Sequence, residues 1–278
     1  MFARALAFVL STLTFVPAIL AQTAPTTNIL TRITLIESEH GAATAFSIDV
    51  DGREYWITAK HVLSGAKHPP YGSITKKTVS VRLLDPAFKE LRWLSVSFSV
   101  IDPGNDIDIV VLAPPNTLLP VAPAEMGSPS FAHVTLGDAC EFLGYPSASG
   151  GAWSAQTSDG KFQWMPFVKH CFIASLPDRQ TRAVILDGIN NPGFSGGPVI
   201  YQTGPQQRIV AVISGIVTEP SEVLPSIVTK IPLETSSDQH GQKVDANSGF
   251  IVAYSIDPAI EAIHKNPVGA LRRPSGQQ

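Results

Sequence analysis

Short runs of β-branched and aromatic residues alternate with clusters of Gly, Pro, Asn, Asp and Ser along almost the whole chain, and helical periodicity is nearly absent. Strand-length apolar runs at such close intervals predict an all-β sandwich or barrel. In the first half these runs are Asn28–Glu37, Ala43–Val50, Glu54–Thr58, Val79–Leu84, Leu91–Ile101 and Ile107–Ala113. In the second they are Ala139–Gly144, Phe162–Ile173, Ala183–Leu186, Gly197–Tyr201, Ile209–Val217 and Gly249–Ala253. Asp51-Gly52 between two runs is a hairpin signal, because tight hairpin turns favour residues that tolerate positive φ. One segment reads as helix, Pro258–His264, with Asp257 as its N-cap and Pro258 as its first helical residue.

Residues 114–130 hold five prolines and few charges, with apolar runs on either side, and read as a linker between an N-terminal half (about 28–116) and a C-terminal half (about 131–266). Residues 147–161, rich in Ser and Gly, and 218–248, a polar insertion, read as exposed loops. The start of the chain differs from the rest: a positive Arg4, an uncharged apolar run from Ala5 to Leu20, then Ala21 and a polar stretch. That order is a secretory signal peptide over residues 1–21, cleaved between Ala21 and Gln22. The run is short for a bilayer span and Pro17 interrupts it, so no stable membrane span is expected after cleavage.

Composition narrows the function classes. The net charge is −3, and removing Arg4 with the leader makes it −4, so no basic field recruits nucleic acid. Charged residues make up 15% and apolar residues 44%, which describes a packed, loop-rich protein and not a disordered one. The two cysteines, Cys140 and Cys171, are an even pair in an exported chain, which points to a disulfide. Neither has a partner at C-x-x-C distance, and no other ligand spacing calls for a metal.

The candidate chemistry begins with Gly193-Phe194-Ser195-Gly196-Gly197-Pro198. Glycines around a serine allow a tight loop that exposes the hydroxyl and turns backbone N–H groups toward one point, which is what acyl transfer needs. Of the seven histidines only His61 follows a strand-like run and precedes an apolar turn, which suits a general base held at a strand end. A carboxylate must then orient the ring. Asp106 and Asp108 both open the apolar run ending at Leu112. On a strand the two would share a face, so spacing does not separate them.

Thr58-Ala59-Lys60-His61-Val62, Asp108-Ile109-Val110-Val111-Leu112 and Asn191-Pro192-Gly193-Phe194-Ser195-Gly196-Gly197-Pro198, in that order, resemble the trypsin/chymotrypsin-like serine proteases, and most of all the bacterial HtrA/Deg type. The resemblance covers about Gly41 to His264. It implies one protease domain over 41–266, after an N-terminal segment and first strand at 22–40 and before a tail at 267–278. It further implies two six-stranded antiparallel β-barrels with the active site between them. Ser195 would be the nucleophile, His61 the base and then acid, Asp108 (or Asp106) the orienting acid, and the Gly193 and Ser195 N–H groups the oxyanion hole.

The resemblance also places Ile189 at the base of the specificity pocket and Ser214, Gly215 and Ile216 along the edge that pairs with peptide. With no acid at Ile189, apolar side chains are expected there rather than Arg or Lys. It sets Cys140 and Cys171 on adjacent strands. The partner is a protein or peptide, no cofactor is needed, and the oligomeric state is left open. The chain departs from the pattern at two places. Phe194 stands where trypsins carry an aspartate that pairs with a freed N-terminus. Fourteen residues follow His264, too few for the PDZ domain usual in HtrA proteins. Two other readings stay open: a non-catalytic binding module on the same barrels, and an esterase using the same triad.

Overall fold

The computed structural model describes residues 25–66, 68–85, 92–119, 127–146, 153–156, 162–203, 206–222 and 243–272. The expected signal peptide, the middle of the linker, the tips of both predicted loops and the end of the tail lie outside the described residues.

The first ring consists of β1 (Ile33–Ser38), β2 (Gly41–Val50), β3 (Arg53–Thr58), β4 (Thr78–Leu84), β5 (Trp93–Ile101) and β6 (Val110–Ala113). The order is β3-β2-β1-β4-β5-β6, and β6 pairs back onto β3 to close it. Asp51 and Gly52 both have positive φ, 49° and 70°, so the β2–β3 turn takes the hairpin form expected of that pair. The second ring is a closed barrel of β7 (Ala139–Gly144), β10 (Phe167–Ile173), β11 (Ala183–Asp187), β12 (Pro198–Thr203), β13 (Gln206–Glu222) and β14 (Lys243–Ser255). Between β7 and β10, β8 (Trp153–Gln156) and β9 (Phe162–Met165) pair as a separate hairpin. The described residues thus form two six-stranded rings, a separate hairpin and a short C-terminal helix.

Several boundaries differ from expectation for local reasons. The segment read as a strand from Asn28 begins with a helical turn, α1 (Thr27–Leu30), because Ile29 and Leu30 N–H groups both bond the Thr26 carbonyl. The run from Phe162 to Ile173 breaks at Pro166, which has no N–H to give a ladder. Ile107–Asp108 precede β6 rather than belong to it, so the shared-face argument for Asp106 and Asp108 does not apply. The apolar turn after His61 is a one-turn helix, α2 (His61–Ser64), stopped by Gly65 at φ 73°. The polar insertion at 218–248 starts and ends as a continuation of β13 and β14, paired from Thr218↔Asn247 to Glu222↔Lys243. The loop at 147–161 contains β8. The C-terminal helix α3 (Asp257–Lys265) has Ile256 and not Asp257 at its N-cap. Asp257 instead accepts the Phe131 N–H at 3.0 Å and the Ser255 hydroxyl at 2.9 Å.

After α3 the chain crosses back to the first ring, where β15 (Ala270–Leu271) pairs with Glu54 and Arg53 of β3. Arg272 there lies 3.0 Å from the Glu54 carboxylate, which is fully buried and also takes the Trp56 indole N–H at 2.7 Å and the Leu118 N–H at 3.0 Å. One apolar cluster runs through both rings, from Ile33, Phe46 and Ile57 to Leu143, Val212 and Tyr254. Burial across the boundary fixes the cleft walls against each other.

Cys140 and Cys171 face each other at one register position of β7 and β10. Both are buried, and their sulfurs stand 2.8 Å apart, unbonded but placed for the expected disulfide. The Cys140 sulfur and burial together push the Cys171 thiol well above its ordinary range. Oxidation is expected to join them with loss of two hydrogens, and to stabilise the fold by about 3–4 kcal/mol for a loop of this length. Intact-mass measurement with and without reductant, beside Cys140→Ser, checks this. A pair that stays reduced under oxidant contradicts it.

Candidate active site

Asp108 is fully buried and gathers three donors. Its Oδ1 takes the His61 backbone N–H at 2.8 Å, and its Oδ2 lies 2.7 Å from the His61 ring Nδ1. The Ser214 hydroxyl also donates to Oδ2. A buried carboxylate is costly without such partners. Its bond to Nδ1 keeps the proton on that nitrogen, which leaves Nε2 as the ring's acceptor. Asp106 sits in an exposed turn and makes no such contact.

Why Ser214 reaches Asp108 follows from a defect in the β13–β14 ladder. Ile213 pairs with Ala253 and Gly215 with Val252, so Ser214 is an extra residue bulged out of register. Bulges re-aim side chains. Here the hydroxyl turns to Asp108 and the carbonyl to the nucleophile. β12 pairs with β13 only as far as Val212, so among the described residues the other edge of Ser214–Ile216 has no strand partner.

Ser195 lies on the turn between β11 and β12. Its hydroxyl donates to the Ser214 carbonyl at 2.9 Å rather than to His61. Both side chains line one cavity of about 280 Å³, with Gly193 beside them and His40 to Ala43 opposite. Gly193 has φ 102°, a conformation that strains any side chain, and a Cβ on Gly196 would collide with the Thr44 carbonyl and the Thr58 hydroxyl. Among the described residues neither the Gly193 nor the Ser195 N–H has an acceptor, so both are available to a ligand atom.

Thr44, on β2 of the first ring, holds this turn. Its N–H bonds the Ser195 carbonyl at 2.9 Å, and its hydroxyl donates to the Gly193 carbonyl at 2.7 Å while accepting the Tyr145 N–H at 3.0 Å. Nothing in the run Gly41–Val50 marks this threonine, because it is one buried polar residue among alanines. Thr44→Val is expected to leave two buried backbone groups unpaired and cost about 1–3 kcal/mol, read as a lower urea midpoint. A midpoint unchanged from wild type would show that the turn is held elsewhere.

Ile189 is 64% exposed, so it is open to solvent and does not floor an enclosed pocket. Beside it, Asn190 is buried and its amide donates to the Gly215 carbonyl at 3.4 Å. His61, Asp108, Gly193, Ser195 and Ser214 are thus brought together, with Gly215 and Ile216 along the adjoining edge, and Ile189 beyond it. Among the described residues no helix is long and apolar enough to cross a membrane.

The chain matches the family described as a trypsin-like peptidase domain over residues 43–212. Among solved structures it is similar to the HtrA-type protease AlgW with tripeptide, at 15% identity and a TM-score of 0.51, over 87% of this chain and 61% of that one. It is also similar to the serine endoprotease from Yersinia pestis, at 17% identity and a TM-score of 0.48, over 87% of this chain and 67% of that one. The likeness to AlgW, at that identity, speaks to fold alone, and the chain spans 61% of that chain's length. No curated protein matches the chain.

Proposed function

The chain belongs to the trypsin-like peptidase family, and on that premise we propose that it is a serine endopeptidase working through an acyl-enzyme. The observation that carries this reading is the buried Asp108 bonded to the His61 ring at 2.7 Å, with His61 and Ser195 lining one cavity. In the reaction Ser195 turns about χ1 from the Ser214 carbonyl to His61 Nε2, gives up its proton there and attacks the scissile carbonyl. Negative charge develops on the carbonyl oxygen, where the Gly193 and Ser195 N–H groups receive it. The imidazolium, stabilised by Asp108, returns the proton to the leaving amine. Water then hydrolyses the ester by the same groups in reverse.

A peptide strand would lie along the open edge at Ser214–Ile216, and since Ile189 is open to solvent, the preference for an apolar residue before the cut rests on the sequence resemblance alone. The Arg4 and Ala5–Leu20 pattern supports action outside the cytoplasm, in the periplasm or medium. One observation favours a second reading, a non-catalytic binding module: the Ser195 hydroxyl rests on Ser214 and not on His61. Digestion of casein and an unbiased peptide mixture, beside Ser195→Ala, decides between the two. Cleavage after apolar residues that vanishes in the variant supports the peptidase. Intact substrate with folded wild type supports the module, and hydrolysis of small esters alone supports an esterase.

A further inference from the structure

Phe194 sits inside the turn that presents Gly193, where a charged aspartate would have offered an ion pair. It is 1% exposed, and its ring meets Phe142 edge-on at 5.2 Å. Bonds from the Phe194 N–H to the Asn191 carbonyl, at 3.4 Å, and from the Thr44 hydroxyl to the Gly193 carbonyl define the turn, yet neither touches the Asn191 side chain at its start. Lys169 does. It lies on β10 directly opposite Phe142, and its ammonium donates to Asn191 Oδ1 at 2.6 Å. The same nitrogen stands 5.6 Å from the Phe194 ring centroid and 5.9 Å from that of Phe142. One cation therefore contacts both ends of the turn 191–194, and burial holds it below the usual lysine range.

We propose that Lys169 is a positioning residue that clamps the turn carrying the Gly193 N–H, by bonding Asn191 and lying over the Phe194 ring. The role in catalysis rests on the peptidase reading above. A cation over an aromatic face and a charge-assisted hydrogen bond are each worth enough to bias a short turn between two conformations. The donors at Gly193 and Ser195 act on charge that exists only in the transition state, so loosening them lowers kcat and spares KM. The Asn247 amide donates to the Asn190 carbonyl at 2.8 Å and secures the neighbouring backbone, and so the clamp acts on residues 191–194 and not on the whole loop.

Lys169→Met keeps the apolar stem and removes the charge. It is expected to lower kcat about tenfold with KM within about twofold, and Lys169→Arg is expected to recover most of the loss, since guanidinium stacks on rings and donates hydrogen bonds. Asn191→Ala should give the same loss, and Lys169→Met/Asn191→Ala little more than either alone. Hydrogen exchange over 191–197 reads the clamp without any turnover: faster exchange in Lys169→Met, restored in Lys169→Arg, with an unchanged melting temperature. Wild-type exchange and kcat in Lys169→Met, or equal losses in the Met and Arg variants, overturn the proposal. If the wild type neither labels nor cleaves, the peptidase reading falls, while the exchange data still decide the clamp.

Discussion

Asp108→Asn is expected to lower kcat by about 10³–10⁴ with the fold intact. Three donors converge on this carboxylate: the His61 N–H, the His61 ring and the Ser214 hydroxyl. An amide of the same shape has one acceptor atom and one donor group, so it cannot receive all three. Its NH₂ group, turned to His61, takes Nδ1 as an acceptor and moves the ring proton to Nε2. A ring protonated at Nε2 cannot receive the serine proton, and the imidazolium loses the charge that steadies it. Asp106→Asn, in an exposed turn, should change the barrier by no more than about 0.5 kcal/mol. Steady-state kcat and KM on one peptide, with melting curves for each variant, give the comparison. A larger loss from Asp106→Asn would mean that the acid has been misidentified.

Lys60→Met carries a large expected loss of stability. The Lys60 side chain is fully buried directly before His61, and its ammonium lies 2.6 Å from Asp102 Oδ1. It donates to the Gly104 carbonyl and, at 3.4 Å, to the Gly72 carbonyl. Asp102 in turn accepts the Ile74 and Gly104 N–H groups, each at 3.0 Å. The pair thus ties three segments: the end of β3 with His61, the stretch before β4, and the turn that leads to Asp108. Breaking a buried pair costs about 3–5 kcal/mol, because a charge is stranded. Asp102 keeps some contact with water, so the lower end is expected, about 3 kcal/mol and a melting point about 6–12 °C lower. Adding Asp102→Asn removes the stranded charge and should recover part of the loss. A melting point within about 2 °C of wild type in Lys60→Met would show that the network is dispensable.

The strand-rich architecture could be read from the chain because each ring strand carries its own apolar run and most neighbours in sequence are also neighbours in space. Asp51-Gly52 named its turn for the same local reason. What closes the rings is not local: the β3–β6 pairing in the first and the β7–β12 and β11–β14 pairings in the second depend on partners far along the chain. The strands at 218–222 and 243–248 were hidden because their sequence is mostly polar, and the pairing from Thr218↔Asn247 to Glu222↔Lys243 leaves no apolar alternation to read. His61, Asp108 and Ser195 stood out as ordered blocks. Their supports did not, since Thr44, Lys60, Asp102 and Lys169 are ordinary residues until folding brings their partners within reach. The same limit explains Asp106, which looked equivalent to Asp108 only while both were assumed to lie on one strand.

Labelling with a fluorophosphonate probe tests the central claim most directly, because the reagent phosphylates only a serine that a base has activated and whose developing oxyanion is held. The purified protein is treated beside Ser195→Ala and His61→Ala, and the modified peptide is located by mass spectrometry. The expected result is one adduct on Ser195, absent from both variants. Folded wild-type protein that takes no label, or label that persists in Ser195→Ala, would contradict the account.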